Sequence, residues 1–361
     1  MYDPESSLEI FIIGGRLGES IVLRTPGGAF GVVDAYASDW KDSDKNPTLA
    51  RLKSLGAKKL RFVVMSHPHM DHFRGLLSIF QFYQGQIESF WRAPWGGVED
   101  LYKLLFREFK QESNDARREF LARGKKILRE LLDAADAEVK SSAMDSITLQ
   151  NDSKAKYDGV FFQEQEHDFS IMCLGPSTNM ASPYSKNIAA RVFGQARQAQ
   201  LSGWKAPHND ISTVLAVKYG EWVGILGGDT EQASWNDILR RRAALLSDTR
   251  FFKISHHGSP TGSFAALWNS IKSDSCEAVV TCFSHQGLPN EAGLRCMRDP
   301  RFRLHSTNKA LAEDLYKGKR PAPVPAEFKI SNKAGEIKLT VDAGGQMKID
   351  YFDPAGPVRL Q

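Results

Sequence analysis

The sequence has few cysteines, no long apolar run and little net charge. Its 361 residues hold only four cysteines, Cys173, Cys276, Cys282 and Cys296. None forms a C-x-x-C pair, which excludes a disulfide scaffold, a zinc knuckle and thioredoxin chemistry. No apolar stretch approaches the roughly 18 residues of a membrane span. The first residues, Met-Tyr-Asp-Pro-Glu-Ser-Ser, have neither the basic nor the apolar region of a secretion signal, so a cytoplasmic protein with no membrane association is expected. Lys plus Arg number 47 and Asp plus Glu 43, and a net +4 is too small by itself to imply a polyanionic partner. With 42% hydrophobic residues, the chain has the composition of an ordinary globular protein.

What is present falls into a rhythm. Residues 8–13, 20–24 and 30–34 are rich in branched apolar residues and separated by glycine turns, so they are expected to form a β-meander. Gly14-Gly15-Arg16-Leu17-Gly18 makes a poor dinucleotide fingerprint, because no helix follows it. A helix is expected at 47–57 and a buried strand at 60–65, with further helices at 73–84, 187–201, 231–247 and 290–298. Strands are expected at 87–91, 147–149, 160–163, 169–174, 212–218, 222–226, 251–255 and 278–282, with a closing hairpin at 336–341 and 346–351. Residues 98–140 carry ten basic and ten acidic residues at helical spacing. They read as a helical insertion in a single domain spanning 1–361, serving as a lid, a clamp or a homodimer surface. The proline-rich stretch 321–325 reads as a link to the last hairpin.

The strongest chemical signal is His67-Pro68-His69-Met70-Asp71-His72, delivered by an apolar strand and followed by a helix. Imidazole and carboxylate donors suit zinc, manganese or iron. His67 and His69 lie on one side of an extended segment and can grip one divalent ion. Asp71 and His72, at the helix start, can face a second.

This H-x-H-x-D-H pattern after a buried strand resembles the metallo-β-lactamase superfamily. The resemblance implies an α/β fold of four αββα layers binding one or two metals, zinc foremost. It matches Asp34, at the end of an early strand, to a carboxylate that orients a motif histidine. His208, ahead of a hairpin, matches a metal-binding histidine, with a loop histidine outside the metal as its alternative. Asp229 in Gly-Gly-Asp-Thr matches a ligand bridging two ions, and a last ligand is His256 or His257.

Finer features resemble one branch, the hydrolase domain of the DNA-uptake channel protein ComEC and its stand-alone relatives. They include Gly18-Glu-Ser-Ile-Val-Leu23, Asn209-Asp-Ile-Ser212 and Lys253-Ile-Ser-His-His-Gly-Ser259. The pattern departs from that branch at His69, where a carboxylate is usual, and at Arg74, where glycine is usual; Arg74 either contacts a phosphate or forms a surface ion pair.

The resemblance implies a hydrolase with Asp71, Asp229 and His257 as candidate catalytic groups. Asn209, Ser212 and Ser259 are candidates for supporting the site or contacting substrate. Residues 291–320 hold eight basic and four acidic residues. Such an edge would suit a phosphate backbone, so a phosphodiesterase or nuclease acting on a nucleic acid or nucleotide is the expected function. An ester, thioester or lactone hydrolase is the first alternative. A non-enzymatic, metal-stabilised partner-binding protein is the second. Of the remaining histidines, His167 and His305 read as structural or solvated, and His285 follows a core strand where a site residue can stand.

Overall fold

The computed structural model describes residues 6–93, 115–141, 144–148, 160–192, 208–319 and 334–358. Strands β1 (Leu8–Gly14), β2 (Glu19–Arg24), β3 (Phe30–Val33), β4 (Phe62–Met65), β5 (Ser89–Arg92) and β6 (Asp145–Thr148) belong to one sheet. The other holds β7 (Val160–Glu164), β8 (Phe169–Gly175), β9 (Val214–Tyr219), β10 (Trp222–Leu226), β11 (Thr249–Lys253), β12 (Cys276–Val280) and β13 (Phe302–Ser306). Strands β14 (Gly335–Val341) and β15 (Met347–Phe352) close the first sheet beside β1, and β16 (Gly356–Pro357) closes the second beside β13. Among the described residues, each sheet has eight strands.

The two sheets repeat one plan. An antiparallel meander, β1–β3 or β8–β10, is followed by parallel strands: β3 through β6 in the first sheet and β10 through β13 in the second. Side chains alternate between faces along a strand, and here the alternation sorts the core into layers. Leu8, Ile10 and Ile12 of β1 pack with Leu215 and Val217 of β9 between the sheets. Phe11 and Ile13 turn to the outer face of the first sheet. Val214 and Ala216 do the same on the second.

Helices cover both outer faces. Helices α1 (Pro47–Ser54), α2 (Met70–Phe73), α3 (Leu76–Phe82) and α4 (Asp115–Lys140) lie on the first-sheet side. Helix α5 (Thr178–Val192) follows β8 in the chain, and its buried Tyr184 joins the first-sheet core. Helices α6 (Gln232–Ser247), α7 (Ala265–Ser270), α8 (Glu291–Leu294) and α9 (Lys309–Tyr316) lie on the second-sheet side. The result is the four-layer αββα arrangement.

Helix α4 is the described part of the expected insertion, and residues 94–114 lie outside the described residues. Its buried Ile127, Leu128, Leu131, Leu132 and Ala135 join the core of the first sheet. It also reaches the histidine motif: a side chain at Gly124 would meet Met70 Sδ at 2.4 Å. Helix α4 is thus part of the outer helical layer along its buried face.

Several expected elements differ. The helix expected at 73–84 is two, α2 and α3, parted at Arg74 and Gly75. The helix expected at 187–201 starts earlier, at Thr178; residues 193–207, like the link at 321–325, lie outside the described residues. Strand β13 and helices α7 and α9 were not expected. Phe302–Ser306 reads as polar because Arg303 and His305 carry charge or polarity, yet both are paired with Glu277 on neighbouring β12. Among the described residues, no helix is long and apolar enough to cross a membrane.

Candidate metal centre

Functional side chains gather where the parallel strands of both sheets end. The loop after β3 and the loop after β4 are tied first. Asp34 sits at φ 55°, an unusual conformation for a non-glycine residue. Its carboxylate accepts from the Ser66 backbone N–H at 2.7 Å, the Ser66 hydroxyl at 2.6 Å and His72 Nδ1 at 2.7 Å. The next residue, Ala35, donates its N–H to the His72 carbonyl at 2.7 Å. These bonds set the start and the end of the histidine motif. Gly18 closes the corner: a Cβ there would lie 2.5 Å from the Tyr36 ring and 2.6 Å from the Asp71 carbonyl, so only glycine fits.

The second half contributes from separate loops. Asp229 follows β10 in a turn where Gly228 takes φ 52°. The Asp229 N–H donates to the Ser212 hydroxyl at 2.9 Å, and that oxygen lies 3.4 Å from His67 Nδ1. Ser212 is therefore a strut between the two halves. His256 and His257 follow β11 with φ 47° and 50°. Two successive non-glycine residues in the left-handed region are strained, at roughly 1–3 kcal/mol each. The strain turns the two imidazoles in different directions.

Two groups of donor atoms result, each with its atoms within 4.8 Å of one another: His67, His69 and Asp229; and Asp71, His72, Asp229 and His257. Asp229 belongs to both. Its Oδ2 lies 3.7 Å from His67 Nε2, and its Oδ1 lies 3.2 Å from His72 Nε2 and 3.8 Å from His257 Nε2. Asp71 Oδ2 lies 3.1 Å from His257 Nε2 and 3.5 Å from His72 Nε2. A third group, Glu19, Asp34 and His72, is already served by protein donors: Lys253 pairs with Glu19, while Ser66 and His72 pair with Asp34.

A metal fits these groups. His67 and His72 are wholly buried, and their Nε2 atoms have no hydrogen-bond partner among the described residues. Each spends its other nitrogen on the protein, His67 on Ser66 and His72 on Asp34. Buried polar atoms without partners are rare and costly, and imidazole nitrogens aimed at a shared carboxylate are what an ion requires. His208 repeats the pattern beside the first group. Its ring lies 5.4 Å from that of His69, its Nδ1 bonds the Tyr184 hydroxyl at 2.6 Å, and its Nε2 has no partner among the described residues.

The electrostatics follow the geometry. Burial lowers the basicity of His67 well below its usual range, and that of His69 less far; it takes His208 down to about 3, with His69 adding to the effect. These imidazoles are neutral and ready to donate an electron pair. Burial also opposes charge on His72, but Asp229, Asp71 and Asp34 outweigh it and raise its pKa well above normal. Burial raises Asp229, but His72 and His257 prevail and hold it well below the usual carboxylate range.

His256 is placed apart from both groups. Its Nδ1 pairs with Glu231 at 3.1 Å, its Nε2 lies 3.4 Å from the Asn209 amide, and its side chain keeps 14% of its exposure. Asn209 donates to Glu231 at 3.1 Å, and the Ser259 N–H donates to the His256 carbonyl at 2.8 Å. These residues form the rim. Of the two candidates for the last ligand, His257 enters a donor group and His256 does not.

Other histidines stand elsewhere. His167 ends a short 3-10 turn, and His285 is exposed beyond Phe283, whose ring stacks on His257 at 5.0 Å. His305 bridges Glu277 and Tyr351. In the basic stretch, among the described residues, Arg298, Arg301 and Lys319 pair with the stretch's own acids Glu291, Asp299 and Asp314, and Arg303 pairs with Glu277 on β12.

Sequence reasoning missed Glu19, Tyr184, Glu231 and Thr281. Glu19 did carry a signal, since it is a charge opening an otherwise apolar strand. Tyr184 and Thr281 carried none, because their role depends on which loops meet.

No protein-family model and no curated protein matches the sequence. Among solved structures, the chain is similar to hydrolase AbOPH of the beta lactamase superfamily at 10% identity, with 63% of this chain and 72% of that one covered and a TM-score of 0.35. It is similar to Zn(2+)-bound PqqB from Methylobacterium extorquens at 10% identity, covering 68% and 70%, TM-score 0.34. A diphosphatase from the PhnP family aligns at 10% identity, covering 75% and 85%, TM-score 0.35. At these identities and TM-scores none of the three bears on activity, and the reading of the site rests on its own residues.

Proposed function

We propose that this chain is a metal-dependent hydrolase of the metallo-β-lactamase superfamily, of the ComEC-like branch, acting on phosphodiesters of a nucleic acid or nucleotide. The observation that carries this reading is the sharing of Asp229 between two groups of donors, in which the buried Nε2 atoms of His67 and His72 lack hydrogen-bond partners among the described residues. His67, His69, His208 and Asp229 would hold one divalent ion, and Asp71, His72, Asp229 and His257 a second. Nitrogen and carboxylate donors without sulfur favour zinc and admit manganese or iron.

Bound there, the ions would supply a hydroxide at neutral pH and neutralise charge on the substrate's oxygens. The chain's own residues do the rest. Asp34 and Ser66 fix the tautomers of His72 and His67 so that Nε2 faces inward. Asp71, at the open side of its group, orients the attacking oxygen. His256, held at the rim by Glu231, delivers a proton to the leaving group.

A paired site of this kind suits in-line displacement at phosphorus. The basic stretch lends the nucleic-acid reading less support, given its internal pairing. Ester, thioester or lactone hydrolysis, and a non-enzymatic metal-stabilised role, are the competing readings. A cytoplasmic location, and helix α4 as a substrate clamp or homodimer surface, belong to the same proposal.

The test is a substrate panel on metal-loaded protein with a His69→Ala control. It includes single- and double-stranded DNA, RNA, cyclic dinucleotides and a generic phosphodiester, beside a thioester and a lactone. Phosphodiester turnover abolished in the control is the expected result. Turnover of only the thioester or lactone would overturn the phosphodiesterase reading, and no turnover of any substrate would favour the non-enzymatic one.

A further inference from the structure

Behind the second donor group lies an ion pair that the proposed chemistry does not use. Glu19, on β2 of the first sheet, pairs with Lys253, at the end of β11 of the second, with side-chain exposures of 1% and 0%. Burying two charges costs several kcal/mol each, and apolar residues of the same size often serve stability as well or better. The position of the pair gives a reason for it. Glu19 Oε2 accepts the Thr281 hydroxyl proton at 2.6 Å, and the Thr281 oxygen lies 3.0 Å from His257 Nδ1. The Thr281 carbonyl lies 3.2 Å from the same nitrogen.

A hydroxyl has one proton. With that proton given to Glu19, the Thr281 oxygen can only accept, so His257 must carry its proton on Nδ1. Its Nε2 hydrogen-bonds Asp71 at 3.1 Å and lies 3.8 Å from Asp229, and with Nδ1 committed to Thr281 it is the nitrogen left to face an ion that would replace the proton there. Glu19 does for His257 through Thr281 what Asp34 does for His72 directly. Lys253 holds the carboxylate in place through the ion pair.

We infer that Glu19, clamped by Lys253 and acting through the Thr281 hydroxyl, is a positioning residue that fixes the tautomer and aim of His257 for the second metal. The inference rests on the metal-binding reading above. It adds that one of the two ions depends on an ion pair bridging the sheets, while the other does not.

Competition titration with zinc tests it, using Thr281→Val, Thr281→Ser and the double variant Glu19→Gln/Lys253→Met, which removes both charges together. The wild type should bind two ions. Thr281→Val and the double variant should bind the first as the wild type does and the second about 10–100-fold more weakly, the usual cost of losing an orienting partner. Thr281→Ser keeps the hydroxyl and should restore the second site. Metal-free thermal unfolding of Thr281→Val and Thr281→Ser is measured alongside.

Wild-type affinity for both ions in Thr281→Val would overturn the inference. So would equal loss in Val and Ser variants, or loss tracking a shared drop in unfolding temperature, since packing would then be the cause. Fewer than two ions on the wild type would overturn the metal-centre reading itself.

Discussion

The two halves of this molecule follow the same plan and build their share of the centre in opposite ways. In the first half, one strand and one loop deliver His67, His69, Asp71 and His72 within six residues, and one neighbouring loop orients them through Asp34. In the second half, Asp229, His257 and the accompanying His208 come from three separate loops. Their orienting groups come from farther still: Tyr184 from α5 and Glu19 from the opposite sheet. The difference shows how a site can be half local and half tertiary. The local half depends on a short stretch of backbone, and the tertiary half on the packing of two sheets. Asp229 is where they meet, since it faces donors of both.

The largest effect should come from removing that junction. On the proposed function, Asp229→Asn should abolish tight binding of both ions and lower turnover by at least about a thousandfold, because paired ions would supply several kcal/mol of transition-state stabilisation. Metal content and kcat measured on one preparation check this. If Asp229→Asn retains two tight ions, the halves do not share a ligand.

Next, the adjacent histidines should separate. His257→Gln should lose the second ion, whereas His256→Gln should keep both and lose about a hundredfold in kcat, the ordinary contribution of a proton donor. Zinc stoichiometry beside kcat for the two variants decides; the reverse assignment would put the ligand on the rim. In the local half, Asp34→Asn should weaken the ion held by His72 by about 10–100-fold and the one held by His67 and His69 less, because Asp34 reaches His67 only through Ser66. Equal weakening of both would show that Asp34 supports the loop as a whole.

The smallest effect concerns acid stability without metal. Burial holds His208 at about 3 in the folded chain, with His69 adding to it, while the unfolded value is near 6.5. The unfolded chain therefore takes up that proton first, so the contribution of His208 is complete above about pH 6.5 and is lost as pH falls. The loss is up to about tenfold in the folding equilibrium per pH unit for one proton. His72, raised instead, works in the other sense, so the comparison is between wild type and His208→Gln. Urea unfolding of metal-free protein between pH 7 and 5 should show a shallower decline in the variant; parallel declines would mean that His208 is not buried neutral.

The same division explains what was legible in the sequence. The meander, the strand before the motif and the motif itself are encoded by neighbouring residues, and the αββα architecture followed from the resemblance they carry. Asp229 and the histidine pair were found through order along the chain, but the choice between His256 and His257 was not, because it depends on two strained φ angles at the end of β11. Glu19 and Thr281 are 262 residues apart and meet only when the sheets close. Strand β13 was hidden for a related reason, since its polar residues are neutralised across the sheet by Glu277. In the basic stretch only Arg303 is paired in this way, across the sheet with Glu277.

Anomalous diffraction at the zinc edge from zinc-loaded crystals tests the central claim most directly. It should show two peaks flanking Asp229, one about 2.0–2.1 Å from nitrogens of His67 and His69 and one at the same range from nitrogens of His72 and His257. A single peak on the His67 side, or none beside Asp229, would contradict a centre shared between the two halves.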